Sequence, residues 1–260
     1  MKFFFLIVLA GFFTCAGSAL AQKELPPKHV RFLALGGKMV WKGKVNEEGI
    51  IIGKPPKPGS LPPIPLFLKS GDQIDLLSMR RDTLTPLMRL DPEQAGFSLL
   101  KEKKPDAVPW FQGKAPAAPF SLAIFFRDPK PPQTWFKPKM LMLPDDAASF
   151  PAGNLRLTNV SDHMMVFRIG GKKGKFYGVK PGYNSIKPIK TGVNQIEIAF
   201  EVQGVKGPIS VFKNNLRVQA GQRLQLVCYK GDGKGVQNAV KCFYFPEPLP
   251  KAPTKPKKKK

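Results

Sequence analysis

The chain has 260 residues, 42% of them apolar and 10% aromatic, which is enough for one or two hydrophobic cores and excludes a disordered or fibrous chain. Forty-two basic residues stand against 18 acidic ones, a net charge of +24. A field of that sign attracts polyanions and anionic surfaces and disfavours cationic partners.

The N-terminus reads as an export signal. Lys2 is a positive n-region, Phe3 to Phe13 an apolar run, and Ala19-Leu20-Ala21 a small-x-small cleavage pattern before Gln22, predicting a signal peptide over residues 1–21. A membrane anchor is the alternative, but the run is shorter than the roughly 20 apolar residues a spanning helix needs. A lipoprotein is another: Cys15 ends the run, although Phe12, Phe13 and Thr14 make a poor lipobox. No later stretch is apolar enough to span. The mature chain carries +23, and +17 without its last six lysines, so the body itself is basic.

Residues 22–127 form a proline-rich β region. Of the 28 prolines, 20 lie between Pro26 and Pro151. HVRFLAL, GIIIG, IPLFLK, DQIDLLSM, GFSLLK and FSLAIFF are predicted strands, interrupted by loops such as KPPKPGSLPPIP, which are functional or polyproline-like. Residues 128–150 are predicted as a linker, although KMLML within them is a further short apolar run. Trp110, Phe111, Trp135 and Phe136 lie in proline-rich stretches near lysines. They read either as aromatic contact residues for a sugar or an extended partner, or as covers over the sandwich ends.

Between Pro151 and Pro246 there are only three prolines, Pro181, Pro188 and Pro208, in the region predicted over 151–246, and proline interrupts sheet ladders. NLRLTNV, HMMVFRIGG, KFYGV, NSIKPIK, NQIEIAFEV, ISVFK, QRLQLVCYK and AVKCFYF recur every eight to twelve residues between turn signals. That is the pattern of an antiparallel sandwich or barrel. In QRLQLVCY, Leu224, Leu226 and Cys228 share one face and Arg223, Gln225 and Val227 the other, as in a half-buried strand.

Loss of Cys15 leaves Cys228 and Cys242, flanking a GDGKG turn in one predicted hairpin. Symmetry about residue 235 sets them opposite each other, so a cross-strand disulfide is expected in an oxidising compartment, with two buried free thiols as the alternative. GGKKGKFYG misses the spacing and the hydroxyl of a phosphate-binding P-loop. Lys172, Lys173 and Lys175 there are anion-binding candidates, or a solvated turn. Beyond residue 246 the chain is predicted to be a disordered Lys/Pro tail over 247–260, and Lys257, Lys258, Lys259 and Lys260 at its end are further anion-binding candidates.

Catalytic patterns are missing. His29 and His163 stand far apart and read as solvated turn residues; Asp145-Asp146 and Glu47-Glu48 read as turn acids. No metal site, cofactor motif or nucleophile motif is present, so the chain is read as a non-enzyme with no cofactor. A weak echo links the two regions. VRFLAL, KPG at 57–59 and GDQIDL match LRLTNV, KPG at 180–182 and GVNQIEI, with intervals of 27 and 25 and then of 14 and 13 residues. Duplication or chance turn chemistry would both produce it.

FPAGNLRLTNVSDHMMVFRIGG followed by VKPGYNSIKPI resembles a pattern of uncharacterised secreted bacterial proteins, carried here by Gly153, Arg156, Asn159, Ser161, Pro181 and Gly182. The resemblance covers about 40 residues of turn chemistry. It implies an immunoglobulin-like sandwich of unknown role and transfers no catalytic residue. The combined expectation is an all-β exported protein of two immunoglobulin-like antiparallel sandwiches in tandem, periplasmic, outer-surface or extracellular. Its function is read as a non-catalytic module engaging anionic envelope components, whether lipopolysaccharide, acidic glycan or phospholipid. The alternative is a structural or assembly adaptor that binds another envelope protein. Nucleic acid is a disfavoured partner for an exported chain.

Overall fold

The computed structural model describes residues 26–36, 43–49, 51–53, 57–130, 133–201, 207–233 and 235–251. The predicted leader and the lysines from Lys257 to Lys260 lie outside these residues. The architecture is two β-sandwiches in tandem, built from four sheets of four strands. A small separate hairpin pairs β2 (Gly43–Val45) with β3 (Ile51–Gly53).

In the first sandwich, β6 (Met88–Leu90), β1 (Lys28–Leu35), β9 (Phe120–Phe126) and β10 (Lys139–Pro144) lie side by side in that order. β1 and β9 run parallel and the other pairs antiparallel. The facing sheet orders β5 (Gln73–Leu77), β4 (Leu66–Ser70), β7 (Gly96–Leu100) and β8 (Pro109–Lys114), all antiparallel. In the second sandwich, β14 (Asn184–Pro188), β11 (Asn154–Asn159), β17 (Gln222–Lys230) and β18 (Val240–Pro248) form one sheet. The other contains β13 (Phe176–Val179), β12 (Met165–Ile169), β15 (Gly192–Phe200) and β16 (Ile209–Val218).

The two sandwiches share one plan. Replacing β1 and β4 to β10 by β11 to β18 in order reproduces every neighbour and every strand direction, including the parallel pairs β1–β9 and β11–β17. Even the register break falls on equivalent pairs, β7–β8 and β15–β16. The KPG echo is not the mark of this repeat. KPG at 57–59 precedes β4 whereas KPG at 180–182 joins β13 to β14, and Gln73-Ile74 lies on β5 whereas Gln195-Ile196 lies on β15. The register identifies the true counterparts. Lys139 faces Phe126 and Lys241 faces Tyr229, so KMLMLPD at 139–145 matches KCFYFPE at 241–247, position by position. Across the parallel pairs, Arg31 beside Leu122 corresponds to Arg156 beside Gln225.

Alternation along each strand fills three apolar layers. Val30, Phe32, Ala34, Leu66, Leu68, Phe97, Leu99 and Phe125 close the first sandwich; Leu155, Leu157, Phe167, Ile196, Ile198, Leu224, Leu226 and Cys228 close the second. Each buried Leu, Val or Phe contributes roughly 1.5–3 kcal/mol. The third layer joins the sandwiches, because Leu33, Leu35, Leu122, Ile124 and Leu143 pack on Val160 and Val227, flanked by Tyr229, Phe243 and Phe245. β1, β9, β11 and β17 are therefore buried on both faces.

That shared layer corrects the expected linker. Within 128–150, Lys139–Pro144 is β10, paired along its length with β9, and Phe150 is fully buried. Leu141 and Leu143 alternate into the layer between the sandwiches, which holds the segment in a sheet. Strand β18 likewise extends to Pro248, past the predicted end of the second region. The short strands β6 and β8 were hidden by the prolines around them.

Candidate functional site

The predicted lysine turn forms an exposed cationic edge. Gly170 and Gly171 adopt positive φ, 91° and 68°, so the chain leaves β12 through a short 3-10 turn over Gly171–Lys173 and returns as the edge strand β13. Lys172, Lys173 and Lys175 all point to solvent. Beside them Arg168 pairs with Glu197 and lies 4.7 Å over the ring of Phe176, and Lys187 of β14 lies 4.6 Å over Tyr177. Phe176 is 56% exposed and Tyr183 66%. Cations and exposed aromatics thus occur together along this edge. Lysine on an edge strand also discourages sheet-to-sheet pairing, a purely structural use of the same residues.

The four predicted contact aromatics behave differently. Trp110 and Phe111 lie on β8 rather than in a loop and pack against the first core, with Trp110 Nε1 donating to the Trp135 carbonyl at 3.0 Å. Trp135 is buried in that same core. These three residues cover the sandwich and are not presented to a partner. Only Phe136 is presented, 58% exposed. Its ring lies so close above Gly59, φ +73°, that a Cβ there would sit 2.6 Å from it.

Cys228 and Cys242 are directly opposite in the β17–β18 register, as the sequence predicts. They are not joined: both are free thiols with the sulfurs 3.4 Å apart, a contact well beyond the ~2.05 Å of a covalent bond. Burial, and then the Cys242 sulfur, push the Cys228 thiol well above its ordinary pKa.

His29 is not a solvated turn residue, whereas His163 does lie in the bend between β11 and β12. His29 is buried on β1 and stacks on Phe120 with centroids 5.3 Å apart; burial, then Arg89, lowers its pKa below the usual 6.5. His163 is half-buried, 4.7 Å from the Phe200 ring and 3.4 Å from Asp162. Asn159, the head of a formal glycosylation sequon, is buried and donates from Nδ2 to the carbonyls of His163 and Val179 at 2.7 and 2.9 Å.

Sequence reasoning missed the densest polar assembly. Between the inner sheets, Arg31 of β1 bridges Asp145, which follows β10, and Glu247 of β18. Arg156 of β11 donates to Asp145 Oδ1 at 2.7 Å and to the Pro144 carbonyl at 2.7 Å. Arg223 of β17 reaches Asp145 Oδ1 at 2.8 Å, Glu247 Oε1 at 3.1 Å and the carbonyls of Asp145 and Phe150. Gln225 donates to both carboxylates. Phe150 lies under the guanidinium groups of Arg156 and Arg223 at 4.1 and 4.7 Å.

The contacts are reciprocal. Arg31 of the first half meets Glu247 of the second, and its counterpart Arg156 meets Asp145, the counterpart of Glu247. Two equivalent faces thus meet as they do in an isologous dimer, here within one chain. Three guanidinium groups against two carboxylates leave one excess positive charge in a buried setting. Burial, against the pull of Asp145, lowers Arg156 to about 10. Burial also opposes the charge on Arg31, but Glu247 and Asp145 outweigh it and raise its pKa. Every charged member is engaged by another, so the assembly joins the sandwiches and offers no free nucleophile or base.

Among the described residues no group of three or more His, Cys, Asp or Glu side chains converges on a metal position, and no helix is long and apolar enough to cross a membrane. Comparison with known protein families finds no match, and no curated protein is detectably similar to this chain.

Proposed function

We propose that the protein is an exported, non-catalytic binding module that engages anionic components of the cell envelope, namely lipopolysaccharide, acidic glycan or phospholipid headgroups, through its basic surface and terminal lysines. The observation that carries this reading is where the charge lies. Residues 151–250 hold 15 basic against 5 acidic residues. Of those acids, Glu247 is buried with arginines, Asp162 pairs with Lys230, Glu197 with Arg168 and Asp232 with Arg127. The acids are thus largely occupied internally, while Lys172, Lys173 and Lys175 face water beside exposed Phe176.

The test is co-sedimentation with anionic and with zwitterionic vesicles. Each lysine near an anionic surface contributes on the order of 1 kcal/mol, so the triple change Lys172→Ala, Lys173→Ala and Lys175→Ala should weaken anionic binding by up to about 100-fold. Equal, low retention on both vesicle types would refute the reading. A second reading then gains weight, an adaptor for another envelope protein, favoured by the ten-residue β16 at a sheet edge, where a partner strand adds readily.

In an oxidising compartment the Cys228 and Cys242 thiols should close to a disulfide by exchange with a disulfide donor, which takes up the two electrons and two protons. The bond encloses 13 residues and stabilises by about 3 kcal/mol at most. A non-reduced digest of exported material should contain the linked peptide; two alkylatable thiols there would show that the pair stays reduced.

A further inference from the structure

We infer that the cavity of about 530 Å³ beside Arg31 is a binding site for an anionic amphiphile, a single acyl chain ending in an acidic headgroup. Its volume lies within the roughly 300–1,000 Å³ of small-molecule sites. The cavity opens between the two sandwiches. Leu84 and Leu87, just before β6, line it from the first sandwich, and Phe245, Pro246 and Pro248–Lys251 from the second; the buried pair Arg31 and Glu247 also borders it. Leu84, Leu87, Phe245 and Leu249 are only half-buried, so apolar surface faces an open space.

Two observations choose the ligand. The repeat supplies the first. Arg156, the counterpart of Arg31, has its guanidinium covered by the ring of Phe150 at 4.1 Å, five residues beyond Asp145. Beside Arg31 no described ring takes that place, and the cavity lies there instead. The position five residues beyond Glu247 is Ala252, which carries no ring and lies outside the described residues; among the described residues, half-buried Leu84, Leu87, Phe245 and Leu249 leave apolar surface there for an apolar group. Charge supplies the second. The cluster behind the cavity has three arginines to two carboxylates, Arg31 Nε, like Arg156 Nε, has no hydrogen-bond partner, and exposed Lys251 also lines the cavity. Buried charge is normally balanced, so an acidic headgroup completes the site where a neutral or cationic one does not. This site stands apart from the lysine edge on β13, and either can fail without the other.

The experiment is displacement of a dansyl-labelled undecanoic acid from the full chain by dodecanoate, in about 0.5 M salt, where exposed charges are screened. The expected result is saturable binding of one probe per chain, at least tenfold weaker in Leu249→Glu, which puts a carboxylate in the apolar wall, and unchanged in the Lys172/Lys173/Lys175 alanine variant. Leu249 lies beyond β18, and Leu87→Trp, which fills the cavity from the other wall, is the second variant should the first fold poorly. Dodecanol should compete at least tenfold less well than dodecanoate. No saturable binding, equal affinity in both wall variants, or equal competition by the alcohol would overturn the inference.

Discussion

Replacing Asp145 by alanine should lower the unfolding free energy by about 3–5 kcal/mol, because removing one partner of a buried ion network leaves uncompensated charge in a low-dielectric setting. Asp145 is fully buried and its carboxylate accepts from Arg31, Arg156, Arg223 and Gln225. Its loss leaves three arginines facing Glu247 alone. The comparison is Glu197→Ala, which breaks a single, partly exposed pair with Arg168 outside the cluster and should cost about 1 kcal/mol. Denaturant unfolding followed by far-UV circular dichroism measures both. Because Asp145 belongs to the first sandwich and Arg156, Arg223, Gln225 and Glu247 to the second, the whole transition should move, with the double change Asp145→Ala, Arg156→Ala costing less than the sum of the singles. A loss below about 1 kcal/mol for Asp145→Ala would mean that water reaches the cluster and replaces the lost partner.

The cluster also shows what the sequence makes legible. Strand alternation is local, so β11, β12, β15, β17 and β18 can be read from period-two runs, and the cysteine pairing from the symmetry of one hairpin. What lies on a strand's other face depends on a partner that alternation does not name. Arg223 and Gln225 alternate with Leu224 and Leu226 as solvent-facing residues do, yet both are fully buried, because acids 22 to 80 residues away in sequence meet them. The runs HVRFLAL and FSLAIFF do carry a sign of this, being apolar at nearly every position as strands covered on both faces are. The clearer sign is KMLMLPD against KCFYFPE, two alternating runs that close on a proline and an acid. Turn tripeptides such as KPG recur for local reasons and pointed to the wrong correspondence. For Trp135 the sequence leaves both readings open, contact and cover, since proline-rich surroundings describe the backbone and not which side chain turns inward; its burial is that of a cover.

Deleting residues 252–260 should weaken retention on anionic vesicles by about 100-fold or more at about 50 mM salt, while leaving binding measurable. The segment carries five lysines and no acid. At on the order of 1 kcal/mol each their full sum would exceed this figure, but screening within a Debye length and the entropy of holding each side chain at the surface reduce it. Binding should persist because residues 22–251 still carry +18, with Lys172, Lys173 and Lys175 exposed on the second sandwich. Lys251 and the prolines that wall the cavity stay in place, so displacement of the labelled fatty acid should not change. Raising salt to about 300 mM should release both chains, the truncated one at the lower salt, since both are held by the same screened attraction. If truncation leaves retention unchanged while the lysine-edge variant loses it, the body alone makes the contact. If neither change matters and retention is low throughout, the anionic surface is not the partner, and strand addition at β16 becomes the interaction to test.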